Sequence, residues 1–253
     1  MVTVLEAGAA FVEHARIALF SIDRAVHTAR ASALGSDHVI MIGKSPNIDP
    51  FISSIMQAIR LPLFPGLQLR FSSHYSGESL NLLRAGAIDL AVVIGFEEEV
   101  GVSAVRLSED PFFVAMLSTD PLCAKKEVRL SDFANRSLAL FERQVNPAVL
   151  DRMQRALSDD RVHPTEVQYF IQAEEAAALV MQRESLALLT KAGAWRISDH
   201  VITIRPLRDD RLILRTFLAG RFEEKSRLVA EFLKATVKRV SPPSRQVPLR
   251  LAV

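Results

Sequence analysis

The chain has 253 residues, of which 49% are apolar and 24% charged, with a formal net charge of +2. This composition excludes a disordered chain and is sufficient for a sizeable hydrophobic core. The near-neutral charge argues against a nucleic-acid coat or a trap for acidic substrates, and no stretch reaches the roughly 18 uncharged apolar residues of a membrane span.

The single cysteine and the N-terminal stretch both predict a cytoplasmic protein. Cys123 has no second cysteine to pair with, which favours a reducing compartment. Because no His or Asp arrangement surrounds it, we expect a plain, partly buried thiol rather than a nucleophile. The N-terminal stretch carries Glu6, Glu13 and His14 and no basic leader, so it does not resemble a secretion signal.

Residues 2–33 predict one long helix with an apolar seam at heptad spacing. The seam consists of Val4, Phe11, Ala15, Ala18, Ile22, Ala25 and Ala29. Such a helix either folds onto its own domain or pairs with the same helix of a second chain. The length of the seam, and the close approach that alanines allow, favour pairing, so we expect a homodimer or homotetramer.

Residues 39–95 predict a strand–helix–strand–helix–strand unit. Its strands are VIMIGKS (39–45), LQLRFSS (67–73) and IDLAVVIG (88–95), and its helices span 49–60 and 76–85. This alternation is typical of a parallel sheet with right-handed crossovers. Within the third strand, residues 90–94 are uninterruptedly apolar, as expected for a strand covered on both faces.

A second unit of the same kind follows in residues 137–190. In its first helix Asn146 is the predicted N-cap, with Pro147 at the first helical position. The strands of this unit span 137–141, 167–171 and 185–190, and its second helix spans 173–182. Two short strands around Asp110-Pro111, extended segments at 201–207 and 212–220 and a helix at 222–239 complete the pattern.

The predicted fold class is therefore α/β, with two Rossmann-like lobes preceded by a long N-terminal helix. The chain is expected to pass between the lobes near 106–112 and near 206–218. The predicted domains are a linker helix (1–34), a first lobe (38–107 plus 213–240), a second lobe (108–212) and a tail (241–253) that is loose or clasps a domain.

Four segments resemble the LysR-type transcriptional regulators. LEAGAAFVEHARIAL (5–19) is similar to the start of the family's linker helix, and LLRAGAIDLAVV (82–93) to its L-x-x-G-x-L-D-L-A motif, with isoleucine where the second leucine is usual. STDPLCAKKEVRLSDFAN (118–135) and SLALLTKAGAW (185–195) are similar to two further segments, with Asp120 in place of a histidine and Thr190 in place of a proline. The order and spacing of these segments extend the resemblance over nearly the whole chain.

The resemblance implies a two-lobed effector-sensing domain of the periplasmic-binding-protein type II kind, with two crossover strands as its hinge. It also implies dimerisation and control of transcription. The family's winged helix-turn-helix precedes the linker helix and needs about 60 residues, more than lie before Leu5. We therefore expect DNA contact only through a helix-turn-helix domain absent from this chain, which holds no basic recognition helix to read a major groove.

The predicted ligand site lies at the carboxyl ends of the parallel strands, where open α/β sheets bind their ligands. Helix N-termini converge there and favour a carboxylate or similar anion. In the first lobe the candidate ligand-binding residues are Ser45, Pro46, Asn47, His74, Ser76, Gly95 and Phe96. Helix capping is the competing role for Asn47 and Ser76, and His74 has the competing role of a solvated loop histidine. The resemblance adds that the family often has a ligand-contacting Ser or Thr at the position of Ser76.

In the second lobe the candidate ligand-binding residues are Phe141, Glu142, Asn146, Gln172, Ala173 and Thr190. Gln172, at a predicted helix start, is a polar contact for a small molecule held by both lobes. An inward-facing Glu142 or Glu174 would oppose an anion, whereas Arg143 would attract one. A neutral or amine-bearing ligand therefore stays open beside a carboxylate.

Catalysis finds little support in the sequence. Ser45, His74 and Asp49 form a triad only on paper, because no G-x-S-x-G elbow supports them. No dinucleotide fingerprint, Walker A loop or zinc spacing is present, so no cofactor and no metal are expected. A transporter's solute-binding protein and an enzyme would share the predicted fold, but the long N-terminal seam favours the regulator.

Overall fold

Strands and helices alternate along the chain largely as the apolar periodicity predicts. The computed structural model describes residues 6–33, 38–96, 100–222, 224 and 226–240. The α-helices are α1 (Glu6–Ala33), α2 (Pro50–Gln57), α3 (Ser76–Arg84), α4 (Pro147–Asp159), α5 (Ala173–Arg183), α6 (Lys191–Ile197) and α7 (Arg227–Val240). The strands are β1 (Val39–Lys44), β2 (Gln68–Ser73), β3 (Leu90–Ile94), β4 (Val102–Pro111), β5 (Phe113–Leu117), β6 (Ser137–Phe141), β7 (Glu166–Phe170), β8 (Leu186–Leu189), β9 (Ile202–Pro206) and β10 (Ile213–Arg221).

The first sheet has the strand order β2-β1-β3-β10-β4. Strand β1 is parallel to both β2 and β3, with Val39 opposite Gln68 and Ile42 opposite Leu90. Every residue of β3 is buried, as the uninterrupted apolar run predicts for a central strand. The carboxyl ends of β1, β2 and β3 therefore lie along one edge, the edge that the sequence predicts for ligand binding.

The second sheet has the order β7-β6-β8-β5-β9 and is mixed. Strands β7 and β8 run parallel to β6, but β5 is antiparallel to both β8 and β9. The strand–helix–strand prediction for 137–190 is confirmed in full. Strand β5, the second of the two strands expected around Asp110-Pro111, follows β4 directly, and an antiparallel strand needs no crossover helix.

Contacts between residues divide the chain into two compact units. The first unit consists of residues 1–46, 52–107 and 217–253, and the second of residues 47–51 and 108–216. The chain passes from the first unit to the second within β4 and returns within β10. The short segment 47–51, which includes the start of α2, also belongs to the second unit.

Helix α1 packs along the first unit with one face and leaves another face exposed. Ile17 and Phe20 are partly buried against the apolar cluster that surrounds Leu83 and Ala91. On roughly the opposite side of the helix, at 3.6 residues per turn, lies the predicted seam. Its Phe11 is 72% and its Ile22 60% exposed. Ala18, Ala25 and Ala29 are also exposed and Ala15 is half-buried, whereas Val4 lies outside the described residues.

Close packing of α3 on β1 depends on Gly43. A Cβ at this position would lie 2.7 Å from Ile88 Cδ1 and 3.2 Å from Ser79 Oγ. Alanine would therefore require the end of the Ile88 side chain to move and would lie tightly against Ser79 of α3. The glycine sets the distance at which α3 begins beside the carboxyl ends of the strands.

Two helices differ from their predicted lengths for local reasons. Helix α2 ends at Gln57 rather than at residue 60, and the Arg60 guanidinium donates hydrogen bonds to the carbonyls of Gln57 and Ile59 at 2.8 and 3.0 Å. Helix α7 begins at Arg227 rather than at residue 222, and Ser226 Oγ accepts a bond from the Val229 N–H as its cap. Helix α6, which follows Thr190, is not foreseen by the sequence analysis at all.

Candidate functional site

The edge of the first sheet is organised around Ser76 and Gly95. The Ser76 side chain is buried, and its Oγ accepts a hydrogen bond of 3.0 Å from the N–H of Ile94, the last residue of β3. Gly95 follows with a φ of +71°, a left-handed conformation that glycine adopts without strain and that ends the strand abruptly. Phe96 then turns back into the first unit, where its ring lies 5.6 Å from that of Phe217. The structure thus brings Ser76 and Gly95 together at one point of the edge.

Ser76 occupies the first helical position of α3, not the N-cap. The N-cap residue is Tyr75, which makes no side-chain capping bond. The capping role that competes with ligand binding is therefore wrong for Ser76. Because the Ser76 oxygen already accepts the Ile94 N–H, its own hydroxyl proton is the group that remains to donate.

His74 lies beneath α1. Its ring packs edge-on against Phe20 at 4.7 Å, and its Nδ1 is 3.5 Å from Glu78 Oε1. Its Nε2 is buried and has no hydrogen-bond partner among the described residues. Burial lowers the pKa of the His74 imidazole below its ordinary value; the Glu78 carboxylate opposes this shift, and Arg16 adds to it. The solvated loop histidine considered as its alternative role is wrong, because the ring is covered.

Of the residues that follow β1, Ser45 is buried and Asp49 caps α2. Ser45 is buried, and its N–H donates to the Val92 carbonyl at 3.2 Å, which extends the pairing of β1 with β3. Pro46 is exposed and Asn47 half-buried. The cap of α2 is Asp49, whose Oδ1 accepts the Phe51 N–H at 2.9 Å. Of the two capping candidates, Asp49 has this role and Asn47 does not.

In the second unit, two predicted site residues cap helices. Asn146 Oδ1 accepts the Val149 N–H at 3.2 Å, and Pro147 follows at the first helical position, which confirms the predicted start of α4. Thr190 Oγ1 accepts the Gly193 N–H at 3.2 Å and caps α6. A Cβ at Gly193 would lie 3.5 Å from Thr190 Oγ1 and 3.7 Å from the Ala173 Cβ, so Ala173 and Thr190 meet at this glycine.

Gln172 is the N-cap residue of α5 but makes no side-chain capping bond. Its carbonyl accepts the N–H of Glu175 at 3.1 Å, and the Glu175 carboxylate reaches back to the Ile171 N–H at 2.8 Å. The exposed Gln172 amide is therefore not consumed by the helix start. Helices α3 and α5 begin without a side-chain cap, in contrast to α2, α4 and α6.

The charged residues after β6 have partners of their own. Glu142 Oε2 accepts a bond of 2.8 Å from the Gln144 amide, and its N–H donates to the Phe170 carbonyl. Arg143 forms a two-pronged ion pair with Asp151 of α4. Arg143 is thus paired with Asp151 of the following helix and not with Glu142. Phe141, the last residue of β6, is buried.

Lys191 is the first residue of α6, close to the carboxyl end of β8, and the sequence analysis did not name it as a candidate. Its ammonium lies 3.5 Å from Asp49 Oδ2 and 3.7 Å from Asp110 Oδ1, all within the second unit. The available signal was its position, directly after β8 and Thr190 where a further helix begins. Two carboxylates offset its charge, so an anion bound there would have to compete with them.

Asp89 is a second missed residue, and it contacts three elements, α1, β1 and β10. Its side chain is 4% exposed and lies 2.8 Å from the Arg24 guanidinium of α1 and 3.6 Å from that of Arg221 in β10. Its Oδ2 accepts the Met41 N–H of β1 at 2.9 Å. Asp89 is the aspartate of the LLRAGAIDLAVV motif, so the motif's acidic residue is explained by the attachment of α1 and not by ligand contact.

Neither a metal site nor a membrane span is found in the part of the chain that the structure describes. No three His, Cys, Asp or Glu side chains are grouped so that they would hold a metal ion, and no helix is both long and apolar enough to cross a bilayer. Cys123 is half-buried with a free thiol, whose Sγ donates to the Leu117 carbonyl at 3.3 Å. These contacts are those of a plain structural cysteine.

Comparison with protein families matches residues 52–241 to the LysR substrate binding domain. Among curated relatives, a probable hydrogen peroxide-inducible genes activator of Mycobacterium avium is 27% identical over 135 residues, which is 53% of this chain and 43% of the relative. The HTH-type transcriptional regulator AlsR of Bacillus subtilis is 19% identical over 92% of this chain and 76% of its own length. The matched region spans about half the length of the mycobacterial relatives.

Solved structures show the same fold. CbnR, described as a LysR family transcriptional regulator, superposes with a TM-score of 0.73 at 20% identity, over 94% of this chain and 82% of CbnR. The BenM effector binding domain with its effector benzoate superposes with a TM-score of 0.70 at 19% identity, over 84% of this chain and 99% of that domain. The predicted fold class, two α/β lobes of the periplasmic-binding-protein type II kind with a preceding helix, is confirmed by these likenesses.

Proposed function

The chain belongs to the LysR substrate-binding-domain family, and from this membership we propose that its effector is a small carboxylate-bearing molecule. LysR regulators bind small effectors and DNA, and the family is a non-enzymatic one. The chain is accordingly the effector-binding domain of a LysR-type regulator, as the sequence motifs predict. The proposal concerns the chemical class of the effector and the residues that bind it.

The uncapped starts of α3 and α5 carry the proposal. A helix N-terminus without a side-chain cap keeps backbone N–H donors and a positive dipole end for an anion. At α3 the Ser76 hydroxyl is oriented by the Ile94 N–H, and at α5 the exposed Gln172 amide stands at the cap position. Both helices begin at the carboxyl edge of their sheet, which is where open α/β folds bind ligands.

Charge at the edge argues for a small, singly charged effector rather than a polyanion. Glu174 lies in the first turn of α5, and Lys191 is already paired with Asp49 and Asp110. These carboxylates would repel additional negative charge. No side-chain cap, however, occupies the donors at Ser76 and Gln172. Benzoate is the effector of the BenM domain, whose fold is alike, so aromatic monocarboxylates are the first class to test.

The peroxide-related name of the mycobacterial relatives suggests a different effector chemistry. A reversible disulfide switch needs a second thiol, and Cys123 is the single cysteine of the 253 residues. Its thiol also donates to the Leu117 carbonyl. These contacts support carboxylate sensing over thiol oxidation.

Calorimetric titration of the chain with a panel of aromatic and aliphatic acids, benzoate first, tests the proposal. Binding of an acid, with at least tenfold weaker binding of its amide analogue, is the expected result. Ser76→Ala and Gln172→Ala should each weaken binding by roughly 10-fold or more, because a hydrogen bond to a charged group contributes about 1.5–3 kcal/mol.

Two exposed residues serve as matched controls: Ser158→Ala at the far end of α4 and Gln182→Ala at the far end of α5. Both should leave the affinity unchanged. Equal binding of acid and amide would refute a carboxylate effector. Equal affinities of the wild type, Ser76→Ala and Gln172→Ala would show that the effector binds elsewhere.

We also propose that the exposed face of α1 pairs with a second copy of the chain. The seam that carries Phe11 and Ile22 lies opposite the face that docks on the first unit, so both faces can be occupied at once. Apolar side chains with these exposures, repeated along a helix, lose contact with water when two such helices pack together.

A further inference from the structure

Three polar atoms on one face of the first sheet are buried and have no hydrogen-bond partner among the described residues. They are Ser72 Oγ in β2, His74 Nε2 directly after β2, and Ser79 Oγ in α3. Ser79 is completely buried, and the side chain of His74 is 9% exposed. The great majority of buried polar atoms in folded proteins bond to another protein atom or to an ordered water. Three such atoms in one region therefore indicate a partner that they share.

The pairing of β1 with β2 places these side chains around Gly43. Gly43 is opposite Ser72 in the parallel pair, so the two residues share one face of the sheet. The His74 N–H donates to the Lys44 carbonyl at 3.1 Å, which continues the pairing and puts the His74 side chain on the same face as Ser72, two positions earlier. A Cβ on Gly43 would lie 3.2 Å from Ser79 Oγ, so Ser79 lies directly over the glycine. Because Gly43 has no side chain, space for a small molecule is left between Ser72 and Ser79.

Helix α1 and the first turn of α3 fix the His74 ring over this face. The Phe20 ring of α1 packs edge-on against it at 4.7 Å, and Glu78 Oε1 lies 3.5 Å from its Nδ1. Glu78 is held in turn by the Arg16 guanidinium of α1 at 3.3 Å. The Nδ1 edge of the ring thus has a partner on the α1 side, whereas the buried Nε2 has none among the described residues.

The chemistry of the three atoms defines what the shared partner must do. Next to the Glu78 carboxylate, Nδ1 of the neutral His74 ring is the nitrogen that carries the proton, which leaves Nε2 as an acceptor. The hydroxyls of Ser72 and Ser79 can each donate one proton. The partner must therefore donate to Nε2 and accept from a hydroxyl. An anion offers no proton to Nε2, and an apolar group bonds to none of the three atoms, whereas a water molecule meets both requirements.

We propose that an ordered water molecule is bound at this point, donating to His74 Nε2 and accepting from Ser79 Oγ, with Ser72 Oγ as its third partner. Three hydrogen bonds are typical of an interior water. The water joins the end of β2 to α3 directly beneath Phe20, so it stabilises the surface on which α1 docks. His74, which the sequence suggests as an effector ligand, is thereby assigned to an internal water. The proposal does not depend on the chemical class of the effector.

A crystal structure of the chain in which interior waters are ordered tests the site directly. The expected result is an electron-density peak within about 3.2 Å of both His74 Nε2 and Ser79 Oγ. Absence of density at that position overturns the proposal. A direct hydrogen bond between His74 and either serine, with no peak between them, overturns it as well.

The sign of a stability change is the test in solution. Ser79→Ala removes a hydroxyl from α3, where alanine has the higher helix propensity. If that hydroxyl were buried without a partner, its removal would end a desolvation cost and the urea midpoint would rise. With the water bound, the variant instead loses a hydrogen bond of a buried network, so the unfolding equilibrium constant should increase at least about threefold and the midpoint should fall. A midpoint at or above that of the wild type overturns the proposal.

Two further variants separate the water from other effects of Ser79→Ala. Ser158→Ala, at an exposed position near the end of α4, is the matched control and should not lower the midpoint. In a His74→Phe background, which keeps a ring against Phe20 but has no Nε2, Ser79→Ala should cost less stability than in the wild type. An equal loss in both backgrounds would show that Ser79 and His74 share no partner, and it too overturns the proposal.

Discussion

Asp89 is the residue on which the attachment of α1 to the first unit depends. Its carboxylate is buried and holds the Arg24 side chain, while the same guanidinium donates to the Gly86 carbonyl at 2.6 Å. On the inner side it accepts the Met41 N–H of β1. A buried carboxylate with these partners has them in place of hydrating water. Its removal takes the opposite charge from Arg24 and leaves the Met41 N–H without its acceptor.

We expect Asp89→Ala to lower the free energy of unfolding by about 3 kcal/mol. This is the lower end of the range for breaking a buried pair, chosen because the Arg24 side chain is partly exposed. Urea denaturation measures it. The neighbouring exposed Asp23→Ala is the control and should stay within about 0.5 kcal/mol of the wild type. A loss below about 1 kcal/mol for Asp89→Ala would contradict the role assigned to this carboxylate.

His74 makes the same region sensitive to pH. Its folded-state pKa lies below the ordinary 6.5 because burial disfavours the imidazolium. The unfolded chain therefore binds a proton that the folded chain does not, once the pH falls below about 6.5. The stability that the neutral ring contributes is fully present above that pH and is lost as the pH falls toward the folded-state pKa.

NMR titration of the His74 Cε1–H signal, assigned with His74→Gln, checks this direction. The midpoint should lie below 6.5 in the wild type. Phe20→Ala uncovers the ring and should move the midpoint back up, whereas Leu19→Ala, next to it on the exposed side of α1, should not. A wild-type midpoint at or above 6.5 would rule out desolvation as the dominant cause.

At the scale of the element, α1 combines the two interpretations that its sequence leaves open. One face docks on its own unit through Phe20, Arg24 and the Arg16–Glu78 pair at 3.3 Å. The other face keeps its apolar seam exposed. The heptad pattern identified the seam, because an apolar stripe can be recognised in the sequence whether it is buried or exposed. It did not identify the docking face, whose two arginines read as ordinary surface charge.

If that seam pairs two chains, Phe11→Asp and Ile22→Asp should each dissociate the assembly. A carboxylate at the centre of an apolar helix pair loses its hydration without gaining a partner. Light scattering at tens of micromolar measures the mass. Ser21→Asp adds the same charge off the seam and should leave the oligomer intact. A monomeric mass of the wild-type chain would contradict the proposed pairing of two chains through α1.

Helix starts show how far element-level reasoning reaches. Asn146-Pro147 predicted the start of α4 because a side-chain cap and a proline act within one turn of the chain. The same rule makes capping the alternative to ligand binding for Ser76, yet its hydroxyl accepts the N–H at the end of β3. A strand brought alongside by the fold competes for the oxygen, and no local pattern reveals that competitor.

At the scale of the whole molecule, each unit presents helix N-termini at the carboxyl edge of its parallel strands. This arrangement follows from the right-handed strand–helix–strand connection, which places every helix start at the same edge as the preceding strand end. Caps then distinguish the helices, since α2, α4 and α6 have side-chain caps and α3 and α5 do not. Whether a helix start keeps free backbone N–H groups thus depends on a single side chain at each start.

The sequence by itself determined the family and the order of strands and helices except for α6, and the edge at which a ligand binds stays a prediction. Apolar periodicity and turn residues act over a few positions, so they can be read without a fold. The tertiary structure decided the antiparallel direction of β5, the docking of α1 on Asp89, the burial of His74 and the partners of Lys191. These features join residues that lie far apart in the chain, such as Arg24 and Asp89, and such pairs become neighbours only when the core has formed.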